Sequence, residues 1–270
     1  MEKLLDEIES YWSTRTEGYS EVNHKELAGT QKNAWLKVLT SQFPDKPKEE
    51  IRILDIGTGP GFFPVILAEA GYHVDAVDYT EGMLEKAKEN AGDLCRNIRF
   101  LRMDAQKLDF EDNTFDVVGI GNSLHHIPDL AALLAEMKRV VKPGGLIILS
   151  EMYNDGQPKA SLTHWILHDI DCTMHTIDGI YHHPTYSKSE ILWLARNAGL
   201  TVEKTLCDLI DDPKVVAKLR ERIAAVPENL KKYESNPAHA FLAAEAAWLN
   251  EEYEANGVTS AEQLVVFCRK

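Results

Sequence analysis

Residues 51–61 read Ile-Arg-Ile-Leu-Asp-Ile-Gly-Thr-Gly-Pro-Gly, an apolar run that passes straight into a glycine-rich turn. A short apolar run bounded by glycine is the pattern of a strand buried on both faces of a parallel sheet. Glycines in the turn let the backbone adopt positive φ and approach a ligand with no Cβ in the way. A dinucleotide site wants the spacing G-x-G-x-x-G, with a pyrophosphate at the following helix N-terminus. Here the spacing is Gly57-x-Gly59-x-Gly61, and Phe62 follows. Asp55 stands two positions before the first glycine. A carboxylate there would repel a pyrophosphate and attract an ammonium group. The expected ligand therefore carries a positive group.

Two further acids close similar strands. Tyr72-His-Val-Asp-Ala-Val-Asp78 ends in an acid 17 residues beyond Gly61, placed to accept hydrogen bonds from ribose hydroxyls as the acid of dinucleotide folds does. Ile98-Arg-Phe-Leu-Arg-Met-Asp104 ends in another. Any one of these acids could be an ordinary turn former or helix cap; the set is what carries weight. Phe115-Asp-Val-Val-Gly-Ile-Gly121 and Val140-Val-Lys-Pro-Gly-Gly-Leu-Ile-Ile-Leu add a fourth strand and a Pro-Gly-Gly turn feeding a fifth. Residues 50–150 together resemble the class I S-adenosylmethionine-dependent methyltransferases, in particular their ubiquinone-biosynthesis-like branch. The resemblance implies a doubly wound α/β fold, a seven-stranded and mostly parallel sheet whose last strand runs antiparallel between the fifth and sixth. It also implies S-adenosyl-L-methionine as cofactor, held by Asp55, Gly57, Thr58, Gly59, Gly61, Asp78, Tyr79, Met83, Asp104, Ala105 and Asn122. In that family the residue matching Asp104 receives the adenine amino group, and an N-terminal aromatic, here Tyr19, closes over the cofactor. The Leu124-His125-His126 segment after strand four is similar to one lining the methyl-transfer end, which makes His125 and His126 the candidate bases. The other reading of that pair is a structural histidine bonded to a backbone carbonyl.

Residues 163–183 hold five of the ten histidines: His164, His168, His175, His182 and His183. On a helix His164, His168, Asp171 and His175 share one face, while Leu162, Ile166, Ile170 and Ile177 share another. An i, i+4 histidine pair is also a metal-binding spacing, and imidazole with carboxylate suits a divalent transition metal. Three readings stand: a polar wall of a substrate pocket, a metal site built on His164, His168 and His175, and a solvated face. The pocket reading has these side chains facing the active-site cavity, joined there by His182 or His183.

The expected organisation is a single domain: a helical cap over 1–45, the cofactor-binding core over 50–150, and a histidine-rich lid over 151–190. About 50 residues, 211–258, then form a helical insert where the family has a short hairpin. Net charge is −14, so a nucleic-acid partner is not expected. Four cysteines without a C-x-x-C pair suit reduced thiols. The acidic Met-Glu-Lys-Leu-Leu-Asp start does not read as a signal peptide, and no apolar run is long enough to span a bilayer. The expectation is a cytoplasmic enzyme that methylates a small molecule. The rivals are a nicotinamide-dependent oxidoreductase, which Asp55 and Phe62 oppose, and a cofactor-binding protein without turnover.

Overall fold

The computed structural model describes residues 2–13, 30–209 and 213–270; Tyr19, expected to close over the cofactor, lies outside them. Seven strands, β1 (Arg52–Ile56), β2 (His73–Asp78), β3 (Ile98–Arg102), β4 (Phe115–Gly121), β5 (Val141–Met152), β6 (Thr201–Asp208) and β7 (Gln263–Arg269), form one sheet in the order β3-β2-β1-β4-β5-β7-β6. The first five are parallel, and β7 is antiparallel to both β5 and β6. Chain order turns back at β1, so the crevice between β1 and β4 is the switch point where doubly wound sheets bind ligands.

Both faces of the sheet are covered, which is why β1, β4 and β7 read as nearly continuous apolar runs. Leu54, Val118, Ile120, Ile147 and Leu149 point to one face, against Leu133, Leu134 and Met137 of α5 (Leu130–Val140) and Ile191 and Ala195 of α7 (Lys188–Asn197). Ile53, Val117, Leu146 and Ile148 point to the other, against Leu39 of α2 (Thr30–Gln42) and Phe63 and Leu67 of α3 (Phe62–Glu69). The helix α4 (Glu81–Ala91) follows β2 and buries Met83, Leu84 and Ala87.

A second apolar body sits apart from the sheet core. It joins Ile166, Leu167, Ile170 and Met174 of α6 (Lys159–Ile177) to Leu219, Ile223 and Val226 of α8 (Pro213–Leu230) and Leu242 and Leu249 of α9 (His239–Asn256). The last two helices occupy the connection between β6 and β7. At the other end, Ile8, Tyr11 and Trp12 of α1 (Glu2–Ser13) pack with Met83 and Ile180.

One local expectation changes. Pro143-Gly144-Gly145 is not a turn ahead of β5 but an irregularity inside it. The strand begins at Val141 opposite Phe115, and its pairing resumes with Leu146 opposite Val117. Gly144 takes φ 71° there, and a Cβ on Gly145 would lie 2.6 Å from Val141 Cγ2. Thr80 precedes α4 without capping it through its side chain; instead its N–H donates to Asp78 Oδ1 at 2.9 Å. By contrast Ser187 and Glu190 form a complete capping box at the start of α7.

Candidate active site

The register places three loops side by side. Ile56 of β1 is level with Val77 of β2 and Ile120 of β4, so residues 57–61, 78–80 and 121–123 leave the sheet together. Gly57, Gly59 and Gly61 take φ of 64°, 50° and 88°, which an L side chain rarely adopts. A Cβ on Gly57 would lie 2.8 Å from Ser123 Oγ, the hydroxyl that donates to the carbonyls of Gly57 and Gly121, each at 3.1 Å. The glycine loop is thus tied across the switch point. Gly59 N–H donates to Asp78 Oδ2 at 2.8 Å, and with Thr80 N–H on Oδ1 both oxygens of Asp78 are fixed in orientation. Burial raises the Asp78 pKa above the usual carboxylate range.

These loops floor a cavity of about 1100 Å³. Gly57, Thr58, Gly59, Asp78, Tyr79 and Met83 line it, as do Asp104, Ala105 and Asn122. Asp55 and Gly61 lie behind the wall: Gly61 opens α3, and Asp55 is 3% exposed with its Oδ2 unpartnered. Burial pushes the Asp55 carboxyl up to about 7. Asp104 is held by Gln106, whose backbone N–H and Nε2 donate to Oδ1 at 2.9 and 3.0 Å. Gln106 also lines the cavity, and the sequence gives no sign of it beyond its place after the acid.

The opposite wall carries His125 and His126, which follow β4, and His168 and His175 of α6. His182, from the segment after α6, packs against His168 and His175 in one imidazole cluster but, like His183, is not among the lining residues, contrary to expectation. Ring centroids are 4.1 Å apart for His125 and His126, 4.9 Å for His125 and His168, and 4.8 Å for His168 and His182. His175 Nδ1 is 2.7 Å from His182 Nδ1, and its Nε2 is hydrogen-bonded to the Tyr11 hydroxyl. Trp12 packs edge-on to His126. Burial holds His126 and His168 well below the usual imidazole range, His164 at about 3 and His182 at about 2, so these rings are neutral at pH 7.

Not every histidine of the 163–183 stretch joins. His164 lines the cavity, but its Nδ1 accepts the Ala261 N–H at 2.8 Å. Asp171 also lines it and is paired with Arg222 of α8. His183 stacks on Tyr186 at 4.7 Å and meets the cluster only through its backbone N–H, which donates to the His125 carbonyl at 2.9 Å. A fully buried carboxylate that the sequence analysis did not single out, Glu151 of β5, stands behind the cluster. Its Oε1 is 2.9 Å from His125 Nδ1 and its Oε2 accepts the Leu124 N–H at 2.9 Å.

A family model described as a methyltransferase domain matches residues 54–149, the segment that carries the glycine loop and all three strand-end acids. Over 107 residues the chain is 37% identical to the demethylmenaquinone methyltransferase of Staphylococcus aureus strain MRSA252, and over 103 residues 39% identical to that of strain JH9. The first alignment covers 38% of this chain and 44% of that relative, so the match spans less than half of the relative's length. The chain shares its fold with a solved structure from Bacillus halodurans C-125 (TM-score 0.60, 20% identity, 90% of this chain and 99% of that one). It also shares it with phosphoethanolamine N-methyltransferase 2 of Haemonchus contortus, solved with S-adenosyl-L-methionine (TM-score 0.57, 21% identity, 96% and 57%). Among the described residues no helix is long and apolar enough to cross a membrane.

Proposed function

We propose that this protein transfers a methyl group from S-adenosyl-L-methionine to a small-molecule acceptor enclosed between the strand ends and the helices above them, and that it works in the cytoplasm without a nucleic-acid partner. The observation that carries the proposal is the oriented Asp78 carboxylate, buried at the switch point of a methyltransferase domain and bonded to the glycine loop. The residues present fit the cofactor. The glycine loop leaves space that a Cβ on Gly57 would take from Ser123, and Asp55 Oδ2 is an unpartnered buried acceptor of the sign an amino group seeks. Asp78 retains lone pairs for two ribose hydroxyls, and Asp104, steadied by Gln106, has Oδ2 for an adenine amino group. When bound, the cofactor supplies a methyl group already activated by a sulfonium.

The protein's share is then alignment and exclusion of water, and positioning of this kind is worth ~7–11 kcal/mol. Tyr11 and Trp12 of α1 and Val215 and Leu219 of α8 supply apolar walls on the far side of the cavity. An acceptor that loses a proton on methylation would meet His125 or His126 at the histidine end, where a neutral imidazole can take it. The test is ligand-induced stabilisation followed by transfer. S-adenosylhomocysteine at 100-fold its Kd should stabilise by ~2.7 kcal/mol, a rise in Tm of several degrees, while NAD and NADP leave Tm unchanged. Isotopically labelled methyl donor should then label the low-mass fraction of a cell extract. Label confined to protein or nucleic acid would overturn the small-molecule acceptor.

A further inference from the structure

We propose that His125, His168 and His182 form a three-imidazole site for one divalent transition-metal ion at the cavity's histidine end. This goes beyond methyl transfer, and the ion would bind whether or not the cofactor does. One nitrogen from each ring lies within 4.8 Å of the other two. His168 Nε2 and His182 Nε2 are 3.2 Å apart. Two nitrogens bound at 2.0–2.1 Å to a tetrahedral ion are separated by ~3.3 Å, so the spacing already matches an edge of such a site.

The surroundings are those of ligands held in place. Ligating histidines characteristically turn their second nitrogen toward a carboxylate, carbonyl or other partner that sets the tautomer. Glu151 Oε1 stands 2.9 Å from His125 Nδ1, which leaves Nε2 of that ring for the cavity. His175 Nδ1 stands 2.7 Å from His182 Nδ1, which leaves Nε2 of His182 toward His168. His168 Nδ1 has no hydrogen-bond partner, and His125 Nδ1 has the Glu151 carboxylate within ion-pair distance but no aligned hydrogen bond. The segment carrying His182 is pinned by its backbone: Ile180 N–H donates to the His175 carbonyl, and His183 N–H to the His125 carbonyl, both at 2.9 Å.

Ligand type points to the kind of ion. Three imidazoles suit zinc, cobalt, nickel or iron rather than magnesium or calcium. His125 and His168 both line the cavity, so a fourth position opens toward the acceptor, where an oxygen, nitrogen or sulfur lone pair would fit.

The test uses the full chain, produced without a polyhistidine tag, stripped with chelator and titrated with cobalt(II). One cobalt per chain is expected, with visible absorption of a low-coordinate site that one equivalent of zinc(II) abolishes. His168→Ala and His182→Ala should each weaken binding by at least ~100-fold, and His183→Ala, whose ring lies outside the cluster, should leave it unchanged. A wild-type Kd weaker than ~10 µM would overturn the site. So would one cobalt per chain retained in the double variant His168→Ala/His182→Ala. S-adenosylhomocysteine stabilisation, measured on the same samples, reports whether each variant is folded. If a single variant does not fold, the wild-type cobalt spectrum and its displacement by zinc decide. Cobalt binding without any response to S-adenosylhomocysteine would sink the methyltransferase reading and leave the metal site standing.

Discussion

Asp55 weakens the empty protein at neutral pH. Burial pushes its carboxyl up to about 7, whereas the same group ionises near 3.8 in water. Between those values the unfolded chain has released a proton that the native state still holds, so this group's contribution to stability falls as pH rises from about 4 to 7 and stays low above. Asp55→Asn removes the charge while keeping the shape. We expect it to raise the Tm of the ligand-free protein at pH 8 by ~2–4 °C, as ~1 kcal/mol does for a chain of this order. The same variant should shrink the rise in Tm that S-adenosylhomocysteine produces; differential scanning fluorimetry with and without ligand checks both. Asp78→Ala acts on the other side of the loop. Loss of the contacts it would make to the ribose should weaken S-adenosylhomocysteine binding by ~1.5–3 kcal/mol per bond, read by titration calorimetry. Asp78 and Asp104 are legible in the sequence because an acid at the end of an apolar run has one place to go, the carboxyl edge of the sheet. Glu151 is not, since it follows an apolar strand in the same way and only the fold shows that histidines from α6 and its following segment arrive in front of it. The same holds for the cluster: helical spacing joins His164, His168 and His175, but it cannot reveal that His164 is taken by the Ala261 N–H while His125 and His182 come in from elsewhere.

At the scale of elements, close approach at the switch point limits what can be changed. A Cβ on Gly121, the last residue of β4, would lie 2.3 Å from Phe63 Cε2 of α3. Phe63 is buried between helix and sheet and lines the cavity as well. Gly121→Ala should therefore overpack the junction, at ~1–3 kcal/mol, lower the Tm by several degrees, and weaken cofactor binding in the same variant through displacement of the α3 start. Thermal denaturation and calorimetry on one preparation separate the two effects. Strand identities are readable because a sheet covered on both faces demands continuous apolar runs. The irregularity inside β5 is not readable. Pro-Gly-Gly has the composition of a turn, and only the resumed pairing of Leu146 with Val117 shows that the strand continues through it.

For the whole molecule, the cavity is roofed by elements that lie far from the glycine loop in sequence. Glu9 of α1 accepts the Glu81 N–H at 3.1 Å and pairs with Arg102, while Lys232, just after α8, pairs with Asp178 at 2.7 Å. Such exposed contacts are individually weak, which lets a roof open for entry and release on the timescale of lids. Hydrogen exchange should slow over residues 2–13 and 213–230 when S-adenosylhomocysteine is added and stay constant over 188–197, where α7 lines no part of the cavity; uniform slowing would count against a moving roof. The roof also bears on how the chain comes to be folded. β7 lies between β5 and β6, yet residues 209–262 separate it from β6 in the chain. Closing a loop of about 50 residues rather than about four adds ~2 kcal/mol of chain entropy to that pairing. A ribosome delivers β7 after all six other strands, so until it docks, β5 presents an open edge to its surroundings and β6 has no partner in the sheet. The slowest step of folding is therefore expected to be the insertion of β7, and a nascent or C-terminally shortened chain is the form in which edge-to-edge aggregation is the hazard.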